Sequence, residues 1–202
     1  MKIKLLLLSS FMLTTLFTGC AFKDQKIDVE YSSDGKKASY EGTVCLNKIK
    51  DIREDKSRIG IVKNTYGMET ANVITDQNVS LLISNAIKDE LIALGYTVNL
   101  IDVAFGEGIN LFDGCDVLDG NLKNMFVEPI FGIFAVDGKA IITVELVIAT
   151  QTGKEFKKTY STNGKSRSYV GGFAQLQKEA MDKALTALIL EIKADLPNVL
   201  GQ

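Results

Sequence analysis

Three cysteines, no histidine and scattered carboxylates set the chemistry open to this chain. Without histidine, Ser-His-Asp and Cys-His catalysis, histidine–zinc sites and a histidine pH switch are out of reach. Cys45 and Cys115 can pair in an oxidising compartment or stand as two buried thiols, and spacing alone does not decide between these. Asn163-Gly164-Lys165-Ser166 ends like a phosphate-binding loop, but Thr159 stands where that motif needs glycine, so a turn lysine is the better reading. Gly106-Glu107-Gly108 is a piece of a dinucleotide fingerprint without its third glycine or its strand–turn–helix setting. Asp113, Asp116 and Asp119 lack calcium-loop spacing, and the last two fall on a strand with side chains to opposite faces. Asp51, Arg53, Glu54 and Asp55 belong to a mixed-charge run that reads as a solvated connection. The expectation is a non-enzyme with no catalytic residue, no metal site and no cofactor.

The residue whose context points to a modification is Cys20. Lys2 and Lys4 precede an apolar stretch of about 13 residues, too short to span a bilayer. It closes on Thr18-Gly19, small residues that suit a signal peptidase. Leu16-Phe17-Thr18-Gly19-Cys20 resembles the bacterial lipobox, in which the cysteine is diacylated and becomes the mature N-terminus. Phe17 departs from that motif, which usually has leucine there. Residues 1–19 are thus expected to be a signal peptide, 20–26 a lipidated N-terminus and tether, and 27–202 a single domain. More than one acyl chain (palmitate-type) would make the anchor stable. Ala21 after the cysteine fits an outer-membrane address facing the periplasm. Removing Lys2 and Lys4 with the signal takes the formal net charge from −2 to −4, which gives no footing for nucleic acid.

The elements follow from periodicity. Ile27, Val29 and Tyr31 alternate with Asp28 and Glu30 and read as a strand. A second extended run covers Ala38 to Leu46, and Ile59 to Val62 is a third. Val79, Leu82, Ile83, Ala86, Ile87, Leu91 and Leu94 share one face of a helix, with Thr75 or Asp76 as cap and Gly95 at its end. Strands follow at Tyr96–Ile101, at Asp116–Val127 after a glycine-rich loop, and at Ile141–Ala149. A turn at Gln151–Lys154 leads into a further strand through Phe156, Lys158 and Tyr160. A long amphipathic helix starts after Gly171-Gly172, carries Phe173, Leu176, Ala180, Met181, Ala184, Leu185, Leu188 and Ile192 on its stripe, and is expected to stop at Pro197. The fold class is α+β: a largely antiparallel sheet with two amphipathic helices packed on one face.

Asp51-Ile52-Arg53, Ile59-Gly60, Leu91 to Val98 and Val147 to Lys154, together with the C-terminal helix, resemble the YajG-type family of uncharacterised bacterial outer-membrane lipoproteins. The resemblance runs from about Ile27 to Pro197. It implies a location and a fold, and carries no catalytic residues. One stretch departs from it: Met125 to Val136 is long and apolar, either two strands and a turn covered by the helices or a hairpin with an exposed tip. In the second case Ile130, Phe131, Ile133 and Phe134 would contact lipid or a partner. The expected role is a membrane-anchored interaction module that binds another envelope protein or peptidoglycan. The alternative is an auxiliary lipoprotein of a transport system holding lipid or glycolipid in an apolar cleft.

Overall fold

One strand organises the molecule. In the computed structural model, which describes residues 23–103, 114–169 and 172–200, strand β7 (Asp116–Phe131) is 16 residues long and lies at the centre of a nine-stranded mixed sheet. Along one edge it pairs antiparallel with β8 (Val136–Ala149), which pairs antiparallel with β9 (Glu155–Ser168). Along the other edge three short strands dock in parallel, one after another. They are β2 (Thr43–Asn47) at Asp116–Leu118, β3 (Lys50–Asp51) at Asn121-Leu122, and β4 (Gly60–Lys63) at Val127. Beyond β2 lies β6 (Thr97–Ile101), parallel; beyond β4 lies β5 (Glu69–Ile74), antiparallel, and then β1 (Gln25–Lys26), parallel.

The sheet is therefore mixed rather than largely antiparallel. Its β7–β8–β9 meander keeps the expected sense, and the parallel half comes from strands too short to declare their partners. The helices α1 (Val79–Leu94) and α2 (Phe173–Val199) pack on this sheet, and their buried stripes enter one core with Val44, Leu46, Leu118, Ile142 and Val144.

Five local expectations change for identifiable reasons. Residues 27–31 are not a strand, although Ile27 and Val29 are buried and Asp28 and Glu30 exposed as the alternation requires. Their polar backbone is satisfied elsewhere. Gln77 brackets Val29, accepting from its N–H at 2.6 Å and donating to its carbonyl at 3.1 Å, and the Glu30 N–H reaches Asp182 at 2.8 Å. Further along, the N–H groups of Ala38 and Tyr40 bond the last carbonyls of α1, Ala93 at 3.0 Å and Leu94 at 2.9 Å, so a helix end takes the place of a ladder. Gln25 and Lys26, expected to be irregular, pair with Val73 and Ile74. Asn78, rather than Thr75 or Asp76, caps α1, its Oδ1 accepting from the Leu81 N–H at 3.0 Å. Pro197 lies inside the last turn of α2 without ending it; only one backbone N–H is lost there, and the Leu200 N–H still reaches Leu196.

The seam between α2 and the sheet is closed to an unusual degree. A Cβ built on Gly164 of β9 would lie 1.8 Å from the Ala180 carbonyl oxygen and 2.6 Å from the Ala184 nitrogen. Beside it, Thr162 and Ser166 donate from β9 to the α2 carbonyls of Ala184 and Leu176. The buried Gln177 extends the attachment by donating to the Ile61 carbonyl at 2.8 Å. Gly164→Ala must therefore push α2 off the sheet. It is expected to lower stability by about 1–3 kcal/mol or more, read as a drop in the urea midpoint, whereas Gly153→Ala tests only turn strain.

Candidate interaction surface

The 47–58 segment is not a solvated connection. Ile49 is core, and the Arg53 guanidinium is buried, gripping the Asp51 carboxylate with Nε and Nη2 at 2.9 and 2.8 Å while Nη1 donates to the Arg58 carbonyl at 3.0 Å. Burial opposes ionisation of Asp51, but the hydrogen bonds from Arg53 outweigh it and hold the carboxyl below its usual range. All the donors used by Arg53 close a loop. The arrangement is a staple that fixes β3 to the turn leading into β4.

A second buried charge ties three elements together. Lys193 of α2 lies 2.6 Å from Glu90 of α1 and 2.7 Å from Asp34 in the irregular segment, and it also donates to the Lys36 carbonyl. Tyr31 donates to the other Glu90 oxygen. Burial alone would raise the Glu90 carboxyl; the hydrogen bonds from Lys193, Ser33 and Tyr31 overcome it and lower the pKa. Lys193 is likewise lowered by burial and raised on balance by Asp34 and Glu90.

The remaining sequence candidates stay apart from one another. Asn163-Gly164-Lys165-Ser166 lies mid-strand in β9 against α2, so it forms neither a turn nor a phosphate loop. Asp116 accepts from the Gln151 N–H, and Asp119 is buried and bonds the Gly120 N–H. Among the described residues no three His, Cys, Asp or Glu side chains cluster as a metal would require. Cys45 and Cys115 are joined in a disulfide, Cα atoms 5.8 Å apart, where β2 runs beside the start of β7. Cys20, Gly106 to Gly108 and Asp113 lie outside the described residues.

The apolar stretch Met125–Val136 divides in two. Met125, Val127 and Pro129 face inward on β7, and Pro129 stands beyond the last β4 pairing, where no neighbour needs its N–H. The chain then turns at Gly132–Ala135, closed by the Gly132 N–H bonding the Ala135 carbonyl at 2.8 Å. Ile133 is 92% and Phe134 86% exposed, and Ile130 is 46% exposed. Phe131 differs from its neighbours: it is half-buried, edge-on to Phe173 at 5.9 Å, and so anchors the hairpin to the start of α2.

Sequence reasoning missed the residues that join this tip. Because β4 runs parallel to β7, the β4–β5 turn lies beside the hairpin; Asn64 Oδ1 accepts from the N–H groups of Tyr66 and Met68, and Tyr66 is left 87% exposed. Tyr169, 72% exposed, follows the end of β9 beside Val136. Thr65, Phe131 to Val136, Tyr169 and Phe173 line one shallow recess of about 250 Å³. Only the parallel register brings these three turns to one end, and that register is a long-range property.

A fold-level comparison agrees with this architecture. The chain belongs to the YajG-type family of uncharacterised lipoproteins, whose family model matches residues 36–197. No curated protein matches it in sequence. Among solved structures, a protein from Xanthomonas campestris is similar at 13% identity and TM-score 0.50, over 87% of this chain and 98% of that one. A homologue of a neuraminyllactose-binding hemagglutinin from Helicobacter pylori is similar at 12% identity and TM-score 0.48, over 84% and 94%. A minor lipoprotein from Acinetobacter baumannii gives 12% identity and TM-score 0.43, over 78% and 94%. At these identities the likeness concerns the fold alone. No helix among the described residues is long and apolar enough to cross a membrane.

The Lys193–Glu90 pair makes a signed prediction. Lys193→Met leaves a buried carboxylate unpaired and is expected to cost about 3–5 kcal/mol at neutral pH. In the unaltered chain the lowered Glu90 pKa gives stability that is present above the unfolded value of about 4.3 and lost as pH falls through the folded one. In Lys193→Met protonation relieves the buried charge instead, so the gap between the two denaturation midpoints should narrow from pH 7 toward pH 4.

Proposed function

We propose that this chain is a non-enzymatic envelope lipoprotein, held by acyl chains on Cys20 at the periplasmic face of the outer membrane. It works as an interaction module that docks to an envelope component through its apolar end. The observation that carries the reading is the exposure of Ile133, Phe134 and Tyr169 around one recess, with Ile130 on β7 and Tyr66 and Met68 in the β4–β5 turn exposed at the same end of the sheet, on a chain of a lipoprotein family. Contiguous exposed apolar surface of this kind marks contact sites in proteins. Ile130, Ile133 and Phe134 make the contact, and Phe131 positions them from its seat on Phe173.

The auxiliary-lipoprotein reading has one feature behind it. A recess of about 470 Å³ lies between the irregular segment and the ends of both helices, lined by Ala38, Tyr40, Leu94, Leu190, Ala194 and Pro197 with Lys36 and Lys37 beside it. Asp34 also lines it, 3.8 Å from Lys36, and apolar walls with such a charged rim suit an amphipathic lipid. Native mass spectrometry separates the readings: lipid mass beyond the Cys20 chains supports the transport role, and its absence supports the docking module.

Cys20→Ser is expected to lose the acyl mass and leave the membrane fraction; a variant still membrane-bound after signal cleavage contradicts the anchor. Ile133→Ser with Phe134→Ser in the acylated chain should keep the melting temperature within about 2 °C, as exposed sites change stability little, and should weaken docking. A large fall in melting temperature would place these side chains in the core.

A further inference from the structure

We infer that the envelope component met by the apolar end is the bilayer itself: the tips of the β4–β5 and β7–β8 turns and Tyr169 seat in the headgroup layer of the membrane that holds Cys20. The inference rests on the anchor reading and names what that end docks to.

The direction of the chain carries it. β1 is parallel to β5, with Gln25 opposite Val73 and Lys26 opposite Ile74. Traced backwards, Asp24 accepts from the Asn72 N–H at 2.8 Å, so the chain retreats along β5 toward Glu69 and the Tyr66–Met68 turn. That turn belongs to the apolar end. Only three residue steps separate Lys23 from Cys20, a reach of at most roughly 11 Å. An acyl anchor on so short a leash, heading toward the apolar end, brings that end to the lipid.

Chemistry and charge agree with that placement. The end carries two tyrosines, a phenylalanine, two isoleucines and a methionine, the amphipathic and apolar mixture that partitions to a membrane interface. Behind it, about 10 Å up the strands, Lys139 of β8 stands directly opposite Lys165 of β9, on the face turned away from α2. Like charges opposite one another disfavour a sheet; on its other side Lys139 faces Glu128 of β7, and Lys165 lies near enough to Asp137 to stabilise its carboxylate. The acidic neighbours are already engaged, Glu128 with Lys63 and Asp137 with Arg167 at 2.6 Å. Lys63, Lys139, Lys165 and Arg167 thus outnumber Glu128 and Asp137 on this face, a surplus of positive charge at the height of anionic headgroups.

The chain lacks tryptophan, so Phe134→Trp places a single indole at the tip and Phe156→Trp places one at the far end of the meander. Each acylated full-length variant is reconstituted on vesicles of phosphatidylcholine and phosphatidylglycerol with brominated acyl chains. The Phe134→Trp indole is expected to shift to the blue and lose most of its emission to bromine, while the Phe156→Trp indole loses little. Lys139→Glu with Lys165→Glu should reduce the tip quenching. Protein that sediments with vesicles while both indoles stay equally unquenched overturns this inference and leaves the anchor standing. A blue shift without quenching places the tip against protein, a partner or a second copy, and also overturns it. Protein that does not sediment overturns the anchor reading and this inference with it.

Discussion

The structure depends on β7. Its 16 residues supply one edge to the long antiparallel meander and the other to three short parallel strands. Short strands pair weakly on their own, and a parallel neighbour needs a long connection to reach its place. A single long strand resolves both problems by giving every short strand the same rigid partner. The order of docking along β7 then fixes the ends of the molecule. β2 and the Cys45–Cys115 disulfide lie at its start, and β4 with the β4–β5 turn lies at its finish. The apolar end is thus a consequence of register, and Phe131 against Phe173 couples that end to the first turn of the long helix.

Buried charge plays the complementary role where the chain has no regular structure. The stretch from Ile27 to Tyr40 has no ladder, yet it is fastened at Val29 by Gln77, at Glu30 by Asp182, and at Asp34 and Lys36 by Lys193. Lys193 reaches through this segment to Glu90, so both helices and the covering chain share one ion cluster. Breaking one partner of such a cluster is costly because the other charge stays buried. The Asp51–Arg53 staple does the same for the loop before β4. These groups hold the shape, and their donors and acceptors are spent on doing so.

What the sequence made legible follows the range of the interactions. The stripe and the C-terminal limit of α1 were readable, because apolar periodicity and Gly95, left-handed at φ +103°, are local signals, whereas its cap is Asn78 and several nearby polar residues compete for that role in the sequence. The stripe of α2 and the meander were readable for the same reason. Glu69–Ile74 was not read as a strand, since Glu-Thr-Ala-Asn-Val-Ile has no clean alternation and its pairing is set by β4 and β1. Arg53 was read as solvated because its charge is visible in the sequence, whereas its cover is not. The tip candidates Ile130, Ile133 and Phe134 stood out as an apolar excess. Tyr66, Met68 and Tyr169 did not, since each is an ordinary single residue until the register gathers them.

With the proposed anchor on Cys20 and the apolar end pointing the same way, the domain is expected to rest on the membrane and not swing above it. The meander is roughly 40 Å long at a strand rise of about 3.3 Å per residue, and it would carry the disulfide end away from the lipid. Neutron reflectometry of the acylated chain on a supported bilayer measures this directly. The account predicts protein density that begins within the headgroup layer and extends outward without a gap. A resolved layer of water between the headgroups and the domain would contradict it.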